Sequence, residues 1–325
     1  MQRRTFILKA TATAAAAIAA PMTVFAKDWP SRPIKLVVGF PGGSTPDMVA
    51  RTLSEPMSKA LGVPIIVENK SGASGNIAAE YVARATDGHT LGIVINGNLT
   101  SSPLLYPNLP YDPMKDFSFI SLLTTAPLVL VAPANEPSGS AFFDKARQEG
   151  DKWNYGSVGI GSVSHLGMEL LKSDVPGLAP VQIPYNGGNP AVVTALIGGQ
   201  VQMALMPPGT ALPQVKAGKL KAIGVTSAQE SDLAPGIPSL AQAGVKDFTL
   251  EVWTAMVGPA SLPAAAQQKV SDVVISALKD PAIRKKLVVQ GWQAVGTTPQ
   301  DMRIRVEKEA QLLGGIIRKQ HIRLQ

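Results

Sequence analysis

The feature that most constrains this chain is a recurring order: a short apolar run, a loop containing glycine, then a longer amphipathic stretch, repeated from Ile34 almost to the C-terminal end. Short apolar runs bounded by turn residues read as strands buried on both faces, and the longer stretches read as helices that cover them. Chains of such units fold as α/β layers around a mainly parallel sheet. Strands are expected over 34–40, 65–68 and 90–95, with helices over 48–61 and 77–85. A second series of strands is expected over 128–132, 154–158, 181–184, 201–205 and 222–226, again with helices between. A strand over 249–257 follows, then helices over 263–278, 281–290 and from 299 to about 317, which read as the closing part of the first unit.

At 325 residues, 45% of them apolar, the chain is long enough for two lobes with separate cores. It has no internal period of solenoid length and no low-complexity linker, so two beads on a string are disfavoured. Crossings between lobes are expected at ordered segments near 125–128 and 253–256. That assigns 27–126 and 254–325 to lobe 1 and 127–253 to lobe 2, and a double crossing of this kind makes a hinge beside a ligand cleft.

Residues 1–26 carry the three parts of an export signal. Arg3, Arg4 and Lys9 form a basic head, an alanine-rich apolar run covers 10–20, and Val24-Phe25-Ala26 supplies small residues at alternating positions. Cleavage is expected near Ala26 and the destination is the periplasm. The run from Arg3 to Lys9 also resembles a twin-arginine motif, with an ordinary secretory signal as the alternative.

Setting aside those three charges lowers the formal net charge from +7 to a mild +4, spread without dense basic runs. Nucleic-acid binding therefore has little support. No later stretch approaches the roughly 20 apolar residues of a membrane span, so no stable membrane insertion is expected. Cysteine is absent, which excludes disulfides, thiolate nucleophiles and cysteine-ligated metals. His89, His165 and His321 lack metal-ligand spacing, and no Gly-x-Ser-x-Gly elbow occurs. No catalytic residue, metal or cofactor is expected. His165, the first histidine one would try as a base, reads better as a structural residue at a helix start.

Three loops each leave a strand and enter a helix. The first runs from Phe40 to Asp47, with Pro41, Gly42, Gly43 and Ser44 between; the second from Asn69 to Asn76; the third from Gly156 to His165. Glycine lets the main chain approach a ligand, and the unpaired amides of a helix start favour an anion. The other reading of the first loop is a tight turn capped by Thr45 or Asp47. It lacks the lysine of a nucleotide P-loop, and Ser164 stands where a dinucleotide fingerprint needs its third glycine.

These residues resemble the extracytoplasmic receptors of tripartite tricarboxylate transporters, the Bug-type binding proteins. The likeness is carried by Pro30-Ser31-Arg32-Pro33-Ile34, by 40–51 and by 69–76. It continues through Asn154 to Leu166, Pro184-Tyr185-Asn186-Gly187-Gly188, Gly198-Gly199-Gln200-Val201 and 220–244, in the family's order. The resemblance implies an α/β type II periplasmic-binding-protein fold: two lobes, a ligand cleft and two hinge crossings. It implies a receptor that is not an enzyme, that captures a small carboxylate and delivers it to the membrane subunits of such a transporter. A monomer is expected because lobe closure needs no partner.

Carried over by position, Phe40, Pro41, Gly43, Ser44, Asp47, Ala73, Gly75 and Asn76 line one wall. Gly159, Ser162, Ser164, His165, Asn186, Gly187 and Met206 face them, with Asn186 standing where the family commonly has lysine. Met206-Pro207-Pro208-Gly209 stands where many relatives have an aromatic residue and an aspartate. Lack of that acid argues against an amino group on the ligand and fits a di- or tricarboxylate or an aromatic acid; Met206 is a ligand contact or a core residue. Two readings of other kinds stay open: an orphan receptor reporting to a membrane sensor, and an exported enzyme using the same cleft, which requires a positioned nucleophile and base.

Overall fold

The structure is a computed structural model that describes residues 29–185, 187–246, 248–319 and 322. The export signal expected over 1–26 and the call on Asn186 lie outside the described residues. In chain order the first elements are β1 (Ile34–Val38), α1 (Thr45–Leu61), β2 (Ile65–Asn69), α2 (Asn76–Ala83), β3 (Thr90–Ile95), α3 (Asn96–Leu99), α4 (Ser102–Leu105) and β4 (Phe117–Pro127). There follow β5 (Val129–Pro133), α5 (Ser140–Glu149), β6 (Asn154–Ser157), α6 (Val163–Asp174), β7 (Val181–Pro184), α7 (Gly188–Ile197), β8 (Met203–Met206), α8 (Pro208–Lys216) and β9 (Leu220–Val225). The chain closes with β10 (Glu251–Pro259), α9 (Ala264–Lys279), α10 (Pro281–Val289), β11 (Gln293–Ala294) and α11 (Pro299–Lys319).

Two sheets result, one per lobe, ordered β11-β4-β10-β3-β1-β2 and β7-β6-β8-β5-β9. The expectation of mainly parallel sheets needs correction. In the first sheet β1 is parallel to β2 and β3, but β10 is antiparallel to β3 and β4, and β11 to β4. In the second, β5 runs antiparallel to both β8 and β9. The long strand β4 was absent from the sequence reading because its polar residues interrupt the apolar run. Ser121 and Thr124 are wholly buried there, and hydrogen bonds offset their desolvation: Ser121 Oγ donates to the Thr297 carbonyl at 2.8 Å, and the Thr124 and Thr254 hydroxyls share a bond of 2.7 Å.

Each sheet is covered on both faces, with side chains alternating between two cores. On the first, Ile34, Leu36 and Val38 pack under α1 and α9, while Val37, Val94, Phe119 and Trp253 pack under α2 and α11. On the second, Leu130, Met203 and Leu205 pack under α5 and α6, while Val131, Ala204 and Met206 pack with residues of α7 and α8. Truncating a wholly buried side chain such as Trp253 to alanine costs about 3–5 kcal/mol.

The chain changes sheets between Pro127 and Val129, and returns between Val225 and Glu251. Residues 253–256 lie inside β10, paired with β4 and β3, so the return falls ahead of the segment read as a crossing. Thr226 ties the two crossings together. Its hydroxyl accepts from the Leu128 amide at 2.8 Å and donates to the Leu250 carbonyl at 2.6 Å, and its amide donates to the Leu128 carbonyl.

Candidate functional site

Helix α1 begins at Thr45, three residues ahead of expectation, because Pro46 in the first turn has its φ preset and lacks only an N–H the helix does not need. Ser44 becomes the N-cap, yet its side chain caps nothing. The loop is held from behind by Asp47, whose side chain is 1% exposed. Asp47 Oδ2 accepts from the Gly43 amide at 2.8 Å, the Arg51 guanidinium grips both oxygens at 2.9 and 3.0 Å, and Asn69 Nδ2 bridges Asp47 Oδ1 to the Phe40 carbonyl at 2.8 Å. Burial opposes ionisation of Asp47, but the bonds from Arg51, Gly43 and Asn69 outweigh it and hold the carboxyl below its ordinary value. Asp47 therefore anchors the loop and does not border the cavity described below, and the Gly43 amide is spent on it.

The third loop is closed on itself. Ser162 Oγ donates to the Gly159 carbonyl at 2.6 Å and accepts from the His165 amide; it also shares a bond with Ser164 Oγ, which accepts from the Val158 amide. His165 is buried, stacks on Tyr155, and accepts at Nδ1 from the Gly161 amide at 3.0 Å. Burial pushes its pKa down to about 4, so it is neutral at pH 7 and serves to fix the loop.

Between the lobes these loops border a half-open cavity, with ≈ 50 Å³ reachable by the centre of a water-sized sphere. Phe40, Ser44, Thr45, Pro46, Thr254 and Trp292 border it from the first sheet's side, and Val158, Ser162, Ser164, Asn189, Leu205 and Pro207 from the second's. The starts of α1, α6, α7 and α8 all reach it. Among the described residues no ionisable side chain lines it. Three bordering residues carry buried polar atoms without a hydrogen-bond partner: Ser44 Oγ, Thr45 Oγ1 and the Trp292 indole Nε1. Buried polar groups without a partner cost about 1–3 kcal/mol each and are rare in folded proteins, so three on residues bordering one cavity single out this part of the molecule.

Of the residues expected to touch ligand, Phe40, Ser44, Ser162 and Ser164 border this cavity. Pro41 sits beside Gly188 of the other lobe, and Gly75 lies under the Phe40 ring. Ala73 and Gly187 are exposed. Asn76 turns inward, accepting from Asn98, Ser102 and Tyr111. Gly159 packs against Ser74 instead. Met206 is wholly buried among Val129, Val131 and Ala211, because alternation along β8 presents Leu205 to the cavity. Sequence reasoning missed Trp292, which a backbone bond from its amide to the Leu287 carbonyl and the Gln290–Thr52 side-chain bond hold beside α1.

The lobes touch directly around the cavity. Ser74 and Tyr106 donate to the Ile160 carbonyl at 3.1 and 3.2 Å, and Ser101 to the Gly161 carbonyl at 2.6 Å. Opposite, Gly209 of α8 meets Gln290 and Gly291 main chain to main chain, so closely that a Cβ on either glycine would overlap the other segment. A broader groove of ≈ 890 Å³ lies by the crossings, where Arg305 is paired with Glu251 and Glu309.

Two α/β lobes joined by a double crossing, with a cavity between them bordered by helix starts, define a two-lobed solute-binding protein. The model of the family described as "Tripartite tricarboxylate transporter family receptor" matches residues 49–322, and the chain belongs to that family, TctC. It is 31% identical to the protein BugT of Bordetella pertussis over 94% of each chain. Among solved structures, MatC from Rhodopseudomonas palustris with bound malate is 31% identical, with a TM-score of 0.83 over 89% of this chain and 100% of that one. An R. palustris protein with adipate is 30% identical, with a TM-score of 0.87 over 91% and 99%.

Proposed function

We propose that the protein is a periplasmic receptor that closes its lobes on a small carboxylate and hands it, as a monomer, to the membrane subunits of a tripartite tricarboxylate-type transporter. The observation that carries this reading is the cluster of three unpartnered buried donors around an inter-lobe cavity at the start of α1. A carboxylate offers only acceptors, so it can satisfy all three, and the helix start adds a favourable partial positive charge. The carboxylates held by two relatives of about 30% identity support the ligand class. Lobe 1 would comprise the β1–β4 and β10–α11 segments and lobe 2 the β5–β9 segment, moving about the Thr226-tied crossings.

Among the described residues near the cavity none is placed as a general base: His165 Nδ1 is occupied, and Asp47 is locked behind the loop. Receptor chemistry therefore needs no group the site lacks, whereas turnover would. The test is a thermal-shift screen of residues 27–325, unfolded and refolded to strip carried-over ligand, against mono-, di- and tricarboxylates and aromatic acids. A saturable rise in melting temperature that is lost in Ser44→Ala supports the receptor reading. Silence across the whole panel overturns it.

A further inference from the structure

We infer that the end of α11 and the neighbouring α4 form an apolar latch across the lobes, which holds a closed population of the protein before any ligand arrives and so sets affinity from outside the cavity. The inference rests on the proposed swing of the lobes about the crossings and not on the identity of the ligand.

The latch is a separate small core. Leu105 of α4 with Leu313 and Ile317 of α11, all carried by lobe 1, bury together with Leu166 of α6, which belongs to lobe 2. All four stand on helices. Tyr106 and Ile322 pack against them, and a bond from the Ile322 amide to the Ile317 carbonyl keeps Ile322 in place beyond the end of α11.

Polar contacts from the same elements reinforce it. Ser101 and Tyr106, at the two ends of α4, donate their hydroxyls to the Gly161 and Ile160 carbonyls of the third loop. Leu105 Cδ1 lies 2.8 Å from where a Cβ on Gly161 would stand, so the cluster runs directly under that loop. Leu166 is one turn into the helix whose N-cap Ser162 and first-turn Ser164 border the cavity. The latch therefore grips the same rigid element that carries the second wall, while its own residues lie outside the cavity's lining.

Burial of these side chains against the opposite lobe is lost when the lobes separate, so it favours the closed form with or without ligand. A ligand that needs closed lobes binds with an apparent affinity proportional to the closed fraction. Weakening the latch therefore lowers affinity with every ligand contact intact.

The chain has no cysteine, so Lys59→Cys, in the last turn of α1, and Lys219→Cys, just after α8, supply two unique and exposed labelling sites, one per lobe. The experiment places spin labels there and measures their separation by double electron–electron resonance in stripped, ligand-free protein. It is run on that background alone and with Tyr106→Phe, Ile317→Ala or Val270→Ala added. The background is expected to show a population at the separation the structure defines, beside a longer one. Tyr106→Phe and Ile317→Ala should each lower the ratio of short to long by about threefold to tenfold. Val270→Ala, which opens a void in the core that α9 shares with α1, should leave the ratio in place, a pattern that general softening would not produce. Tyr106→Phe removes a single oxygen and decides the matter if Ile317→Ala does not fold. If the background shows no short population, if neither latch variant shifts the ratio, or if Val270→Ala shifts it as far, the inference falls. The receptor reading is untouched by these outcomes, since it stands or falls on the carboxylate screen.

Discussion

The two walls of the cleft are built from the same unit, a strand, a glycine-containing loop and a helix start with serine at the N-cap, yet they are in opposite states of satisfaction. On the lobe 1 wall Ser44 caps nothing, and Ser44, Thr45 and Trp292 keep buried donors unmet. On the lobe 2 wall the equivalent Ser162 caps its helix, bonds the Gly159 carbonyl and leans on Ser164. The difference lies in what holds each loop. Asp47, with Arg51 and Asn69, fixes the first loop from outside and leaves its hydroxyls free. The lobe 2 loop is fixed by its own hydroxyls and by His165. One wall keeps polar groups unmet and the other is satisfied within itself; in the proposed receptor the first would be the binding wall and the second the lid that closes over it.

This contrast can be broken or sharpened by experiment, and the largest effect belongs to the lid. Because burial lowers the His165 pKa to about 4 in the folded protein, against an ordinary value of 6.5, the unfolded chain takes up the proton first. Its contribution is therefore full above pH 6.5 and is lost as the pH falls towards 4, amounting to roughly 3 kcal/mol. Denaturant melts at pH 7.5 and 4.5 should reveal the drop, and His165→Gln should flatten it; an equal drop in the variant would remove His165 from the account.

Next comes the support of the binding wall. Asp47→Ala strips three partners at once, though Arg51 is half in solvent, so a loss of about 2–3 kcal/mol in unfolding free energy is expected, together with weakened ligand binding. Smaller is Thr45→Val, which should leave stability unchanged or slightly raised, since an orphaned hydroxyl is removed, while carboxylate affinity falls about tenfold or more. Calorimetry beside thermal melting separates the two quantities. Smallest is the mirror-image change, Ser164→Ala: about 1 kcal/mol of stability and less than threefold in affinity. If Ser164→Ala costs more affinity than Thr45→Val, the assignment of binding wall and lid is reversed.

The units themselves were plain in the sequence, because fully buried strands are short apolar runs and their helices are amphipathic. What escaped was the part that depends on partners distant in the chain. Strand β4 hides its direction and its extent behind Ser121 and Thr124, which become core residues only through Thr297 and Thr254. The glycine loops announced the cleft, and Ser44, Ser162 and Ser164 among them border the cavity. Asp47 looked like a ligand residue because a conspicuous acid in a binding loop reads the same whether it faces the ligand or the scaffold. Trp292 gave no signal at all: it follows a helix like any core aromatic, and its place at the cavity appears only when the tail packs back against α1.

Gly209 and Gly291 set a floor for the spacing of the segments that carry them. Most packed surfaces meet through side chains, and side chains can be trimmed. Here one main chain already reaches another, so substitution can act on the contact in one direction only. Any residue larger than glycine at either position would act as a shim that holds the two segments apart, and restoring the contact requires both glycines.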